Sequence, residues 1–164
     1  MDVYLKFEPD LPGEVDTQGF EKQIRVFGFS LAMQNHTSMV PGKNTQKGEV
    51  TLESMTFSKV HDSSSAELMK RCANGLSGAA SKCTISVVAT EGTASKAFCT
   101  IKLSDVLVAS FSVSGSAGAG PAETYDNFKL YYSKIEYEYT HKGNKNDVVA
   151  KPKFNYDLAK KMLT

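Results

Sequence analysis

The sequence predicts a mainly β fold, a barrel or sandwich of antiparallel strands with one helix lying against its side. Two observations carry that expectation. Period-two alternation with β-branched and aromatic runs dominates the 164-residue chain. A single segment has helical spacing instead: Leu68, Met69, Cys72, Ala73 and Leu76 recur at three- and four-residue steps and form one apolar stripe. The length suits one domain spanning 1–164, large enough to bury a core without covalent staples.

In chain order, "VYLKF" (3–7) alternates Val3, Leu5 and Phe7 against Tyr4 and Lys6. "KQIRVFGFSLAM" (22–33) reads as one long strand, apolar on both faces for part of its length, as in a strand covered twice. "EVTLESMTFSKV" (49–60) reads as another. The helix is expected over about 65–75, with Ser64 and Glu67 fitting a capping box, Ser65 an equally good N-cap, and Gly75 or Gly78 ending it. "KCTISVVAT" (82–90) and "KAFCTIKL" (96–103) predict a hairpin around Glu91-Gly92, which would set Cys83 and Cys99, equidistant from Glu91, facing each other, with reduced, buried thiols the default. "DVLVASFSV" (105–113) follows, and then "FKLYYSKIEYEY" (128–139), whose phase change near Ser133 suggests a bulge. "FNYDL" (154–158) closes the series.

Two segments lack periodicity. "QNHTSMVPGKNTQKGE" (34–49) is a polar connection long enough to be a binding or assembly element. "SGSAGAGPAE" (114–123) joins two strands, and its glycines are followed by Pro121 and a strand rather than by the helix a phosphate cradle needs.

A net charge of +1 argues against broad adhesion to nucleic acid or membrane. From His141 onward six lysines face two aspartates, which reads as a solvated tail or docking strand because arginine and stacking residues are missing. The first residues lack an apolar run of signal-peptide length, so synthesis and folding in the cytosol are expected, with any export by a route that needs no cleaved signal. Three cysteines (72, 83 and 99) at irregular spacing form neither a disulfide framework nor a zinc site, and His36, His61 and His141 add no pair at ligand spacing.

"HDSSSAELMKRC" (61–72) gathers the residue types of a nucleophilic site. Working triads draw their groups from separate elements, however, and the serines here serve the start of a helix. Cys72 is therefore expected to be buried on the helix stripe, and His61 to have no metal or catalytic partner. Glu136 and Glu138 share one strand face without the second wall a carboxylate pair would need. No catalytic residue, metal ligand or cofactor is expected.

Four blocks then carry a resemblance: "GEVDTQGFEKQIRVFGFSLAM" (13–33), "GEVTLESMTFSKVHDSSSAELMKRCANG" (48–75), "IKLSDVLVASFSVSGSAG" (101–118) and "KIEYEY" (134–139). In order and spacing the chain resembles the haemolysin-coregulated proteins (Hcp), inner-tube proteins of the bacterial type VI secretion system, from about Val3 to Leu158. The resemblance implies a β-barrel of two packed antiparallel sheets with one flanking helix (about 65–75) and a long extended loop (about 34–48). It implies hexameric rings stacked into a tube, with a spike protein at the tip, a contractile sheath outside and effector proteins in the lumen. It also implies cytoplasmic assembly followed by secretion through that machinery, with no nucleic acid bound and no membrane insertion. On this reading Met39, Val40, Lys43 and Asn44 in the long loop contact the neighbouring ring, and Ser30 faces the lumen. The competing readings are a monomeric β-sandwich binding module and a cysteine or serine hydrolase centred on 61–72.

Overall fold

The computed structural model describes residues 1–37, 48–75, 81–91, 94–116, 123–142 and 148–163. The chain begins with β1 (Asp2–Glu8), β2 (Ile24–Val26), β3 (Gly28–Ser30), β4 (Met33–His36), β5 (Glu49–Leu52) and β6 (Met55–Val60). The helix α1 (Ser64–Asn74) comes next, followed by β7 (Lys82–Glu91), β8 (Ala94–Ser104), β9 (Leu107–Ser116) and β10 (Glu123–Tyr131). The last elements are β11 (Lys134–Tyr139), β12 (His141–Lys142), β13 (Val148–Ala150), β14 (Lys153–Asp157) and β15 (Met162–Leu163). A seven-stranded sheet, ordered β15-β14-β11-β8-β7-β1-β2, faces a four-stranded sheet, ordered β3-β6-β10-β9. Both contribute to one apolar core, and α1 packs beside β9. The expected mainly β architecture with a flanking helix is therefore present, although the strand ladder does not close into a full barrel among the described residues.

Cross-strand rows explain why the sheets hold together. In the larger sheet Leu5, Ile85, Ile101, Tyr137 and Phe154 lie in one row, with Phe7, Cys83, Leu103, Ile135 and Tyr156 in another. In the smaller sheet each of the four strands contributes a phenylalanine to one row: Phe29, Phe57, Phe128 and Phe111. The Phe57 and Phe128 rings stack at 5.1 Å between centroids. Such rows are the unit of sheet stabilisation, because only side chains on the same face meet.

Three expectations need correction. The strand expected over 22–33 is three strands: the chain leaves the larger sheet after Val26, and Phe27 donates its amide to the Ser58 carbonyl as the chain enters the smaller one. Its apolar character on both faces comes from that crossing and not from double coverage. The phase change near Ser133 is a second crossing, from β10 to β11, while the register shift falls between Lys129 and Leu130 against β9. Cys83 lies opposite Leu103 and Cys99 opposite Val87, so the two thiols do not face each other. Four residues along the strand separate them, roughly 13 Å, beyond disulfide reach.

The register also defines two ends. Asp2 starts β1 beside Val88, whereas Glu8, Lys82, Ser104, Lys134 and Asp157 form a row at the opposite end. Residues 34–36 of the expected long loop pair with 49–52 as a ribbon, β4 with β5, so the strand expected over 49–60 is two strands, β5 and β6, in different sheets. Met39, Val40, Lys43 and Asn44 lie outside the described residues, as does the stretch 117–122.

Candidate functional site

The stretch 61–72 is where sequence and structure diverge most. In β6, Lys59 continues the inward-facing series of Met55 and Phe57, and it is fully buried, as is Asp126 directly opposite on β10. Burying an ion is costly unless its partners are close and numerous. The Lys59 ammonium donates to Asp126 Oδ2 at 2.9 Å, Asp62 Oδ1 at 2.8 Å, Ser65 Oγ at 3.0 Å and the Val60 carbonyl at 2.9 Å. Asp126 also accepts from the Ser65 hydroxyl, and its Oδ1 lies 2.8 Å from His61 Nδ1. Burial pushes the Asp126 carboxyl up, but the bonds from Ser65, His61 and Lys59, together with the Lys59 charge, outweigh it and hold it below the usual carboxylate range.

This network fastens the start of α1 to two strands. The expected serine caps are replaced: Ser63 at the N-cap makes no side-chain capping bond, and the Asp62 carboxylate instead accepts the Ser64 amide at 2.8 Å. Ser65 accepts the Asp62 amide at 3.1 Å while its hydroxyl points at Asp126. At the other end, Gly75 has φ +70° and donates to the Cys72 carbonyl, so a glycine suits that position. Leu68 is fully buried, yet Met69 and Ala73 are exposed and Cys72 is only half-buried against the core. The expectation of a buried Cys72 is thus corrected: α1 lies on the rim, and its inner stripe is narrower than the sequence suggested.

His61 does have a partner, the Asp126 carboxylate, where none of catalytic type was expected. In a nucleophilic triad the imidazole must accept the proton of the nucleophile, with the carboxylate behind it. Here Ser65 and His61 both bond to the same carboxylate, so neither activates the other. Among the described residues no group of three His, Cys, Asp or Glu side chains gathers as a metal site. The geometry serves anchoring.

The outward face of the four-stranded sheet is a second feature. Gly28, Ser58, Asn127 and Ser112 form one row across it, and Ser30, Thr56, Lys129 and Ser110 the next. Ser114 and Ser116 continue β9 opposite Tyr125 and Glu123. Ser58 Oγ reaches Asn127 Oδ1 at 2.6 Å, and Ser112 Oγ reaches the Asn127 carbonyl at 3.3 Å. Lys129 and Glu123 are the charged side chains of these rows, so the surface is hydroxyl-rich and close to neutral. Ser30 is exposed on the edge strand β3. The seven-stranded sheet differs: Lys6, Lys102 and Glu136 share one outer row, and Glu138 with Lys153 another, the last two paired at 2.8 Å. Glu136 and Glu138 thus share a face, as expected, and Glu138 is held below its ordinary range chiefly by the Lys153 hydrogen bond.

A groove of about 670 Å³ lies at the Asp2 end, beside the exposed side chains of Phe27 and Val60. Sequence reasoning missed both this groove and the Lys59–Asp126 pair. The pair had a signal, since both residues fall in the same phase as buried Phe57 and Phe128. The groove had none, because it is assembled from four separate segments.

Comparison with known proteins adds the family. The family model described as "Type VI secretion system effector, Hcp" matches residues 4–139. Among solved structures, one described as "Structure of a type six secretion system protein" superposes with a TM-score of 0.87 at 21% identity, covering 99% of each chain. Hcp1 from Salmonella typhimurium gives 0.74 at 20% identity, covering 99% of this chain and 98% of the other. Secreted protein Hcp3 from Pseudomonas aeruginosa gives 0.62 at 15% identity, covering 94% and 98%. A search of curated protein sequences finds no match.

Proposed function

The chain belongs to the Hcp family of the type VI secretion system, and from that premise we propose that it is a structural subunit of the secretion tube. Six copies close into a ring, rings stack, and a contractile sheath drives the tube and its tip spike outward with effectors in the lumen. The protein is assembled in the cytoplasm and leaves through the same machinery. The observation that carries this reading is the contrast between the two outer surfaces. A cargo channel must hold water without fixing charged partners, and the neutral hydroxyl rows of the four-stranded sheet suit that role, with Ser30 on the lumen wall. The charged rows of the larger sheet suit an outer wall. No catalysis is assigned, since the nucleophile-type residues gathered at 61–72 are engaged in anchoring α1.

The connection 34–48, with Met39, Val40, Lys43 and Asn44 at its centre, reaches the neighbouring ring on this proposal. Its β4–β5 base projects from the end of the smaller sheet where Ser30 pairs with Thr56. Light scattering on the purified protein, followed by negative-stain imaging, tests the assembly. Particles of six times the chain mass with a central hole are expected, whereas a monodisperse monomer at high concentration contradicts the reading and returns a stand-alone binding module. Deleting 38–46 is expected to leave rings and shorten stacks.

A further inference from the structure

We infer that the outer face of the four-stranded sheet carries, at its Asp2 end, a recognition site for cargo polypeptide. It selects an extended segment with an apolar side chain at one position and lysine or arginine two positions on. This rests on the tube reading above and gives one mouth of the channel a chemistry that the hydroxyl rows lack.

The outer rows change character toward this end. Beyond the row of Gly28, Ser58, Asn127 and Ser112, Val60 lies opposite Tyr125, and Ser114 completes the row. Val60 is 59% exposed. Phe27, at the crossing into β3, is 63% exposed, and its ring stands edge-on to Tyr125 at 5.6 Å. Two cavities meet at Val60. The groove of about 670 Å³ runs past Phe27 to Asp2, and a second of about 310 Å³ lies beside Thr124 and Tyr125. Exposed apolar side chains beside a concave surface suit the anchor residue of a partner.

The unpaired side-chain charges around this patch are of one sign. Asp2 is paired with Arg25 at 2.6 Å, Asp62 with Lys59 at 2.8 Å, and His61 is bonded to Asp126. Glu14 and Asp16 in the groove, and Glu123 in the second cavity, are exposed and make no ion pair among the described residues. The Tyr125 hydroxyl donates to Glu123 Oε2, which fixes that carboxylate beside the ring. Lys129, the cation of the same face, stands six residues further along β10, roughly 20 Å away.

Spacing supplies the pattern. Glu123 and Tyr125 are two residues apart on one face of β10, roughly 7 Å. An extended segment laid along β10 presents its own alternate side chains at the same spacing. Its apolar side chain enters between Phe27, Val60 and Tyr125 while its cation reaches Glu123, and Glu14 and Asp16 add complementary charge. Side chains alone make the contact, because β10 is already paired with β6 and β9 on its two edges. Each contact is weak and screened by salt, but copies repeated around a ring act together.

The test titrates the full-length protein with dye-labelled peptides and reads binding by fluorescence anisotropy. One peptide repeats Leu-Ser-Lys-Ser, a second Leu-Ser-Glu-Ser, and a third Leu-Lys-Ser-Ser, which moves the cation off the leucine face. The variants are Phe27→Ser, Val60→Ser and Glu123→Lys, with circular dichroism to check folding and light scattering to check rings. The first peptide is expected to bind wild type about tenfold tighter than the other two, and Phe27→Ser and Val60→Ser each to lower its affinity about tenfold, as loss of a central anchor does. Glu123→Lys is expected to turn the preference toward the glutamate peptide. Rings that bind all three peptides equally, or a lysine preference unchanged by Glu123→Lys, overturn the site and leave the tube reading intact. Loss of rings in Phe27→Ser and Val60→Ser makes the patch a subunit contact and overturns the site as well. A monomeric wild type that keeps the expected preference overturns the tube reading alone.

Discussion

The two faces of the four-stranded sheet are built from alternate residues of the same strands, yet they do different work. The inner face holds the phenylalanine row and, one step along, the buried Lys59–Asp126 pair, with every side chain fixed by a cross-strand neighbour or by α1. The outer face holds serine, threonine and asparagine, whose hydroxyls and amides meet water and each other, together with Lys129, Glu123 and the row of exposed Val60 and half-buried Tyr125. Stability is therefore concentrated in one phase of the period-two pattern and the solvent-facing surface in the other. Moving one residue along β10 changes which property a substitution alters.

The largest effect is expected at Asp126. Asp126→Ala leaves the buried Lys59 charge with one carboxylate fewer, and a loss of about 3–5 kcal/mol is expected in urea unfolding. Combining Lys59→Met with Asp126→Leu is expected to return part of that loss, since an apolar pair of similar volume removes the stranded charge. Leu68→Ala comes next, with about 2–5 kcal/mol expected from the cavity beneath α1 and read in the same assay.

Acid should act through the same pair. The Asp126 carboxyl is held below its ordinary value in the fold, so its stabilisation is complete above that value and lost as pH falls through the folded one. Wild-type stability should decline below about pH 4, where free aspartates titrate. Thermal melts across that window should show a shallower decline for Asp126→Asn. On the opposite face Ser112→Ala is expected to change stability by no more than about 0.5 kcal/mol. A larger loss there would break the division between the faces.

Much of this was legible in the sequence. The strand-rich class, the helix within a residue of its bounds and the shared face of Glu136 and Glu138 follow from periodicity, because period and burial are coupled locally. The crossings at Phe27 and Ser133 were not, since a strand that changes sheets and one that bulges leave the same break in alternation. Asp62 displaced the serine caps because Ser65 was recruited by Asp126, 61 residues away, and no local pattern reveals such a partner. The half-exposed Cys72 has the same origin: helical spacing defines a stripe, but the packing of α1 on the rim decides how much of it is covered.

The central claim is that the neutral face lines an enclosed channel. In a Cys72→Ser background, Ser112→Cys on that face and Lys102→Cys on the outer face of the larger sheet are each exposed to a bulky thiol reagent, in intact tubes and after disassembly. The account predicts that position 102 labels in both states and position 112 only after disassembly. Labelling of position 112 in intact tubes as fast as position 102 would contradict it.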